Sequence, residues 1–275
     1  MTTQSRRART AEAAAATMLV VLAGCSTLRN VTGPAASSSS TSSTTSSSTA
    51  AAPASSSPSS PATSAAANPG PALSGGLTGG NPAAAARAQL EQLVVLPTRP
   101  SPAGYDRDCG AGHACSFGPA WSDVDRNGCG QRDDVLSQSM TDVVFKPGTH
   151  NCVVASGTLD DPYTGTTIHF VRGPDSAAVQ VDHVVPEKYA YDVGAASWTV
   201  AQRTAFANDT TLELLAVSGP ANQAKSDSGP GEWLPSNAAV HCAYVERFVA
   251  VLTAYRLAIL AADKTAVDQV LQHCP

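Results

Sequence analysis

Val181-Asp182-His183-Val184-Val185-Pro186 and, further along, Asn222-Gln223-Ala224-Lys225-Ser226-Asp227 enclose the stretch on which the reading of this chain turns. Between them Leu212 to Val217 is a short apolar run that reads as a strand, and Gly219-Pro220 turns the chain into a helix carrying Asn222 and Lys225. The order is strand, strand, helix, which brings an acid, an imidazole, an amide and an amine together. Neighbouring strand residues point to opposite faces. Asp182 and His183 can therefore share one cavity only where the strand ends or bends, and Pro186 favours such a break.

These groups suit metal-assisted hydrolysis of a phosphodiester. That reaction needs a nucleophilic water, relief of charge on the phosphoryl oxygens and stabilisation of the departing oxygen. A hard cation supplies the last two, and Mg²⁺ prefers one or two protein oxygens with water and substrate completing the shell. Asp182 and Asn222 offer such a sparse set. A neutral imidazole at His183 suits proton abstraction from water. Lys225, three residues after Asn222 on one helix face, is placed to meet a phosphate oxygen.

Working outward, Asp142 to Phe145, Cys152 to Leu159 and Thr166 to Val171 are β-rich, and Asp160-Asp161-Pro162-Tyr163-Thr164-Gly165 is a strong turn signal between the last two. They predict a hairpin leading into the strand Ala178 to Val185. Trp198 to Ala207 reads as a helix capped by Thr199, with Val200, Arg203 and Phe206 at helical spacing. Asn237 to Ile259 and Ala262 to Gln272 read as helices packed behind the site, and Pro82 to Leu96 as a short helix or connector. Asp123-Val124-Asp125-Arg126-Asn127-Gly128 matches the first half of a calcium loop. The twelfth position is Asp134 rather than Glu and flanking helices are not evident, so it reads as a turn, and Arg132 to Met140 can form a helix after it. His113, His150, His169, His241 and His273 lack partners at ligand spacing, and Trp121, Trp198 and Trp233 read as core.

The N-terminal third differs sharply in composition. Arg6, Arg7 and Arg9 precede an apolar run from Ala13 to Leu22 and then Leu22-Ala23-Gly24-Cys25, the pattern of an export signal ending in a lipobox. Residues 1–25 are read as a lipoprotein-type signal peptide with Cys25 as the lipidated residue. The apolar run is too short to span a bilayer, so attachment would be by a lipid anchor only. Residues 26–86 are dominated by Ser, Thr, Ala, Pro and Gly and read as a disordered linker, reaching roughly 40 Å as a flexible coil. Residues 87–275 are left as the folded domain. Residues 1–86 carry a net charge of +3, so the remainder carries −8 of the total −5. Such an acidic domain is not an obvious binder of phosphate backbones.

Setting Cys25 aside leaves Cys109, Cys115, Cys129, Cys152, Cys242 and Cys274. An even count in an exported domain argues for disulfides, and spacing suggests Cys109 with Cys115, Cys129 with Cys152 and Cys242 with Cys274. The spacing of Cys109, His113 and Cys115 also fits zinc, but no fourth ligand is apparent and the compartment favours oxidation, so no zinc is expected.

An ordered series of motifs runs along the domain: Asp125-Arg126-Asn127-Gly128-Cys129, Phe145-Lys146-Pro147-Gly148-Thr149, Asn151-Cys152-Val153-Val154, Ser156-Gly157-Thr158-Leu159, Asp161-Pro162-Tyr163-Thr164-Gly165, Asp182-His183-Val184-Val185-Pro186, Phe206-Ala207-Asn208-Asp209, and Asn222-Gln223-Ala224-Lys225 followed by Trp233-Leu234-Pro235. From Tyr105 onward the chain resembles the HNH endonuclease family, in its exported actinobacterial branch. The resemblance implies an α+β domain with a ββα-metal (HNH) core, preceded by a β-hairpin region and followed by packing helices, with one Mg²⁺ or Mn²⁺ ion. It implies His183 as general base and Asp182 and Asn222 as metal ligands. Glu213 stands where the family has its middle Asn, and is expected to act as a further oxygen ligand or a positioning group. Ser226 stands where Gly is common.

The expectation is a monomeric, exported nuclease, membrane-anchored or extracellular, cutting DNA, with RNA also open. The rival is a degenerate member kept as an envelope-binding module, favoured by the acidic charge and by Glu213.

Overall fold

Val179 to His183 presents two faces that meet different partners. Val179 and Val181 join an apolar cluster with Val135 and Leu136, whereas Gln180 and Asp182 bond Asn222 and Lys225 on the other side. The computed structural model describes residues 82–107 and 115–275. The signal peptide with Cys25, most of the linker, and Cys109 lie outside the described residues.

In chain order the elements are α1 (Pro82–Leu90), β1 (Val95–Leu96), α2 (Gln131–Ser139), β2 (Thr141–Phe145), β3 (Val154–Asp160), β4 (Thr167–Val171), β5 (Val179–His183), α3 (Glu187–Asp192), α4 (Val200–Ala207), β6 (Leu214–Ser218), α5 (Gly219–Lys225), α6 (His241–Tyr255), β7 (Ile259–Leu260) and α7 (Ala261–Leu271). Three sheets form: the antiparallel meander β2-β3-β4, the antiparallel pair β5-β6 and a short parallel pair β1-β7. The β3-β4 hairpin closes at the expected turn, where Asp161 accepts from the N–H groups of Tyr163 and Thr164. Asp161 also accepts from the Ser218 N–H at 2.9 Å, which pins this turn to the end of β6.

β5 and β6 pair in unbroken register from Val179 with Ser218 to His183 with Leu214. One face rests on α2 through Val179, Val181, Leu214 and Ala216. The other face carries Leu215 and Val217 into the larger core, shared with Tyr189, Tyr244, Phe248 and Leu252. Ser218 caps α5, whose first residues are Gly219 and Pro220. Gly219 lies so close to the preceding segment that a Cβ would sit 1.9 Å from the Ala177 carbonyl oxygen.

Thr199 caps α4 in a reciprocal capping box with Gln202. Two boundaries differ from the sequence reading. Helix α1 begins at Pro82, ahead of the expected domain start at residue 87, because Ala83 and Ala86 are fully buried in the core. The predicted helix from Asn237 to Ile259 stops at Tyr255, where Arg256 adopts a left-handed conformation and Leu257 to Ile259 turn into the core. Cys129–Cys152 ties the approach to α2 to the approach to β3, and Cys242–Cys274 ties the start of α6 to the C-terminus. Cys115 is also disulfide-bonded. Among the described residues, no helix is long and apolar enough to cross a membrane.

Candidate active site

A cavity of about 310 Å³ opens at the end of the β5-β6 sheet, lined by Gln180, Asp182, His183, Glu187, Asn222 and Asp227, with Tyr105 and Arg107 on its rim. Of the two alternatives expected, an end or a bend, β5 takes the first: it stays regular through His183 and ends there, and the cavity wraps around its end. Asp182 and His183 reach the same space from opposite faces of the sheet.

His183 Nε2 lies 2.9 Å from the Ala207 carbonyl oxygen. A carbonyl only accepts, so Nε2 carries a proton and, in the neutral ring, Nδ1 is the acceptor. Glu187 Oε1 stands 3.8 Å from Nε2, and the Trp121 ring stacks 6.5 Å from the imidazole at 18°. Helix α4, which presents Ala207 at its last position, and α3, which begins with Glu187, therefore set the ring's direction. A second cavity of about 120 Å³ continues past His183 between Trp121, Phe117 and Asn208.

Asp182 is 4% exposed. Lys225 Nζ donates to both its oxygens, at 2.9 and 2.8 Å, and the Tyr163 hydroxyl donates to Oδ2 at 2.5 Å. The same Nζ donates to the His183 carbonyl at 2.6 Å. With its three protons committed and no exposure, Lys225 does not meet a phosphate oxygen as the helical spacing suggested. It neutralises Asp182 and fixes the end of β5.

Glu213 also departs from its metal-ligand expectation. It is fully buried away from the cavity, and its carboxylate accepts from the Val185 N–H at 3.1 and 3.3 Å. Its own carbonyl accepts from Val184 N–H at 2.9 Å. Glu213 thus clamps the two residues after His183, which is the positioning role. Burial pushes its carboxyl well above the usual range, and the Asp182 charge adds to this, while Lys225 and Arg247 oppose it. The buried Tyr163 and Tyr244 hydroxyls are likewise held far above the phenol range, chiefly by burial and then by Asp182.

Asn222 gives its amide N–H to Gln180 Oε1 at 2.9 Å, which leaves its carbonyl oxygen as the acceptor end. A carboxylate has about four lone-pair sites, and three protein donor contacts fall on Asp182, two of them on Oδ2. One site on Oδ1 and the Asn222 oxygen remain. A Mg²⁺-like ion, which keeps several waters, asks a protein for no more oxygens than such a pair. Among the described residues, no three His, Cys, Asp or Glu side chains are gathered for a metal, so any ion here relies on water and substrate for its other ligands.

Sequence reasoning missed Tyr163, Glu187 and Trp121. Glu187 stands four residues after His183, a spacing visible in the sequence. Tyr163 and Trp121 arrive through tertiary contacts from a turn and a loop, which no local pattern reveals. The Ser226 conformation answers a question the sequence raised: its φ of 51° is the left-handed value for which glycine is suited.

The geometry defines a disulfide-stapled mixed α/β protein whose cavity joins an imidazole to a neutralised acid and an amide. The chain belongs to the family described as GmrSD restriction endonucleases, C-terminal domain, matched over residues 130–267. That match covers β2 through β6, α5 and both sides of the cavity. The chain is also similar to an "Uncharacterized secreted protein" of Arthroderma benhamiae, 36% identical over 193 residues, which cover 70% of this chain and 86% of the relative. No solved structure matches the chain.

Proposed function

We propose that this protein is an exported, divalent-metal-dependent endonuclease of the HNH type that hydrolyses phosphodiester bonds in DNA, with RNA as a second substrate. The observation that carries the reading is the His183 imidazole, held through Nε2 by the Ala207 carbonyl at the lip of a cavity that Asp182 and Asn222 also line. Membership in a restriction endonuclease domain family supports it, and the ββα order of β5, β6 and α5 agrees with an HNH core.

In this reading His183 Nδ1 takes the proton from water, and the carbonyl of Ala207 steadies the imidazolium that results. Asp182 Oδ1 and the Asn222 oxygen would hold one Mg²⁺ or Mn²⁺, which when bound would relieve negative charge on the phosphoryl oxygens. Lys225 and Tyr163 hold the Asp182 carboxylate in place, and Glu213 fixes the turn after His183. The charge of that ion would also offset the acidity of the domain where the phosphate docks. Residues 1–25 deliver the protein, Cys25 anchors it, and the linker, shortened at its end to residue 81 by helix α1, acts as a tether up to the folded domain. A secreted relative and the disulfides support an extracellular location.

The test is incubation of the oxidised protein with plasmid DNA and with RNA, in Mg²⁺ or Mn²⁺ and in chelator. Metal-dependent cutting that is lost in His183→Ala supports the reading. No cutting under any of these conditions sinks it and leaves the envelope-binding role.

A further inference from the structure

We infer that the loop from Asp123 to Asp134 is a calcium site, separate from the candidate active site, which ties the entry to α2 in place when the protein reaches a calcium-rich exterior.

The loop has the twelve-residue ligand spacing of a helix-flanked calcium loop: side-chain oxygens at positions one, three and five, glycine at six, a backbone carbonyl at seven, a polar side chain at nine and a carboxylate at twelve. Here these are Asp123, Asp125, Asn127, Gly128, Cys129, Gln131 and Asp134. From sequence the pattern reads as a turn for want of a flanking helix. In the structure α2 begins at Gln131, so positions nine to twelve form its first turn. Gly128 has φ of 90°, the conformation that the sixth position requires.

The independent sign of a missing partner is Asp134. It is 7% exposed, and its Oδ2 is buried with no hydrogen-bond partner. A buried acceptor left unpaired is costly, and such groups ordinarily have a protein, water or ion partner. Asn127 reaches Asp134 across the loop with a side-chain hydrogen bond, so Oδ2 is the open end of that carboxylate, and Asp125 and Asp123 stand nearby. Asp123 accepts from Asn127 and Gly128 N–H groups at 3.0 Å, which curls the chain around the space. Among the described residues no three such carboxylates converge on one point, so the cation itself would gather Asp125 and Asp134.

The set is all oxygen, with side-chain oxygens, a backbone carbonyl and a carboxylate at position twelve, on a loop exposed from Asp123 to Gly128, and such a mixed set suits the flexible geometry of Ca²⁺. Ca²⁺ accepts six to eight such ligands in flexible geometry, and extracellular calcium modules bind at about 10⁻⁴–10⁻³ M.

The experiment uses the full oxidised chain after chelation, with Tb³⁺ as a luminescent substitute for Ca²⁺. Trp121, two residues before Asp123, is the energy donor. Expected are Tb³⁺ emission on tryptophan excitation, its displacement by Ca²⁺ at about 10⁻⁴–10⁻³ M, and a rise in the thermal midpoint with Ca²⁺ that equal Mg²⁺ does not reproduce. Both signals should survive in Asn222→Ala, which alters the candidate active site, and be lost in Asp125→Asn/Asp134→Asn. Asp125 is exposed, so Asp125→Asn alone should fold and lose at least tenfold in Ca²⁺ affinity. Absence of both signals from the unmodified protein, or their persistence in a folded double variant, overturns the site. Loss of both in Asn222→Ala overturns it equally, since the cation then lies in the other cavity.

Discussion

Lys225 is fully buried and donates to both carboxylate oxygens of Asp182, so the two charges exist only as a pair. Removing one partner strands the other in the core. Lys225→Met should therefore cost about 3–5 kcal/mol, read as a fall in the urea midpoint with disulfides intact. The double variant Lys225→Met/Asp182→Asn should recover much of that loss. Equal instability in the single and double variants would show that the pair is not the source.

The His183 side chain contributes one hydrogen bond to the fold and stands at the cavity lip. His183→Ala should keep the wild-type far-ultraviolet circular dichroism and lower metal-dependent cutting by about 10²–10⁴-fold. A folded His183→Ala protein with unchanged kcat would remove the imidazole from the mechanism.

Glu213 gives a pH signature. An unfolded glutamate titrates at about 4.3, and burial raises the folded value well above the ordinary one. The folded state therefore holds this proton more tightly. The associated stability is complete below about pH 4 and is lost as pH rises through the folded value. Glu213→Gln keeps an acceptor for the Val185 N–H without the titration. Its stability relative to the parent should improve steadily as pH rises above about 5. A difference that stays flat up to about pH 9 would mean that Glu213 is ionised in the fold.

Ser226 ends α5 at φ 51° and ψ −123°. A side chain in such a sparsely populated region costs roughly 1–3 kcal/mol. Ser226→Gly should raise the denaturation midpoint accordingly, without loss of secondary structure. No gain, or a loss, would show that the Ser226 side chain offsets its own strain.

Much of the framework can be read from the chain because it is governed by local rules. Alternation and turn chemistry mark β3, β4, β5 and β6; Thr199 marks the start of α4; cysteine spacing marks both described disulfides. The site is legible as residues but not as geometry. Spacing places Lys225 beside Asn222, yet its direction is decided by burial against Asp182, which lies on another element. The clamp from Glu213 to Val185 depends on where β5 ends relative to β6, a tertiary matter. The calcium-like loop is half legible: its first six positions match in sequence and a helix can be read from Arg132, whereas the start of α2 within the ligand positions is a matter of the fold.

The opposite-face placement of Asp182 and His183 bears on how this protein tolerates evolutionary change in length. Adding or deleting one residue within β5 would exchange the destinations of the acid and the imidazole. The acid would then turn toward Trp121, and the imidazole toward Lys225. The segment between β4 and β5 rests on a turn exposed at its tip, so length variation is admissible there. Within β5 an insertion would be lethal to the site even if every residue type were retained.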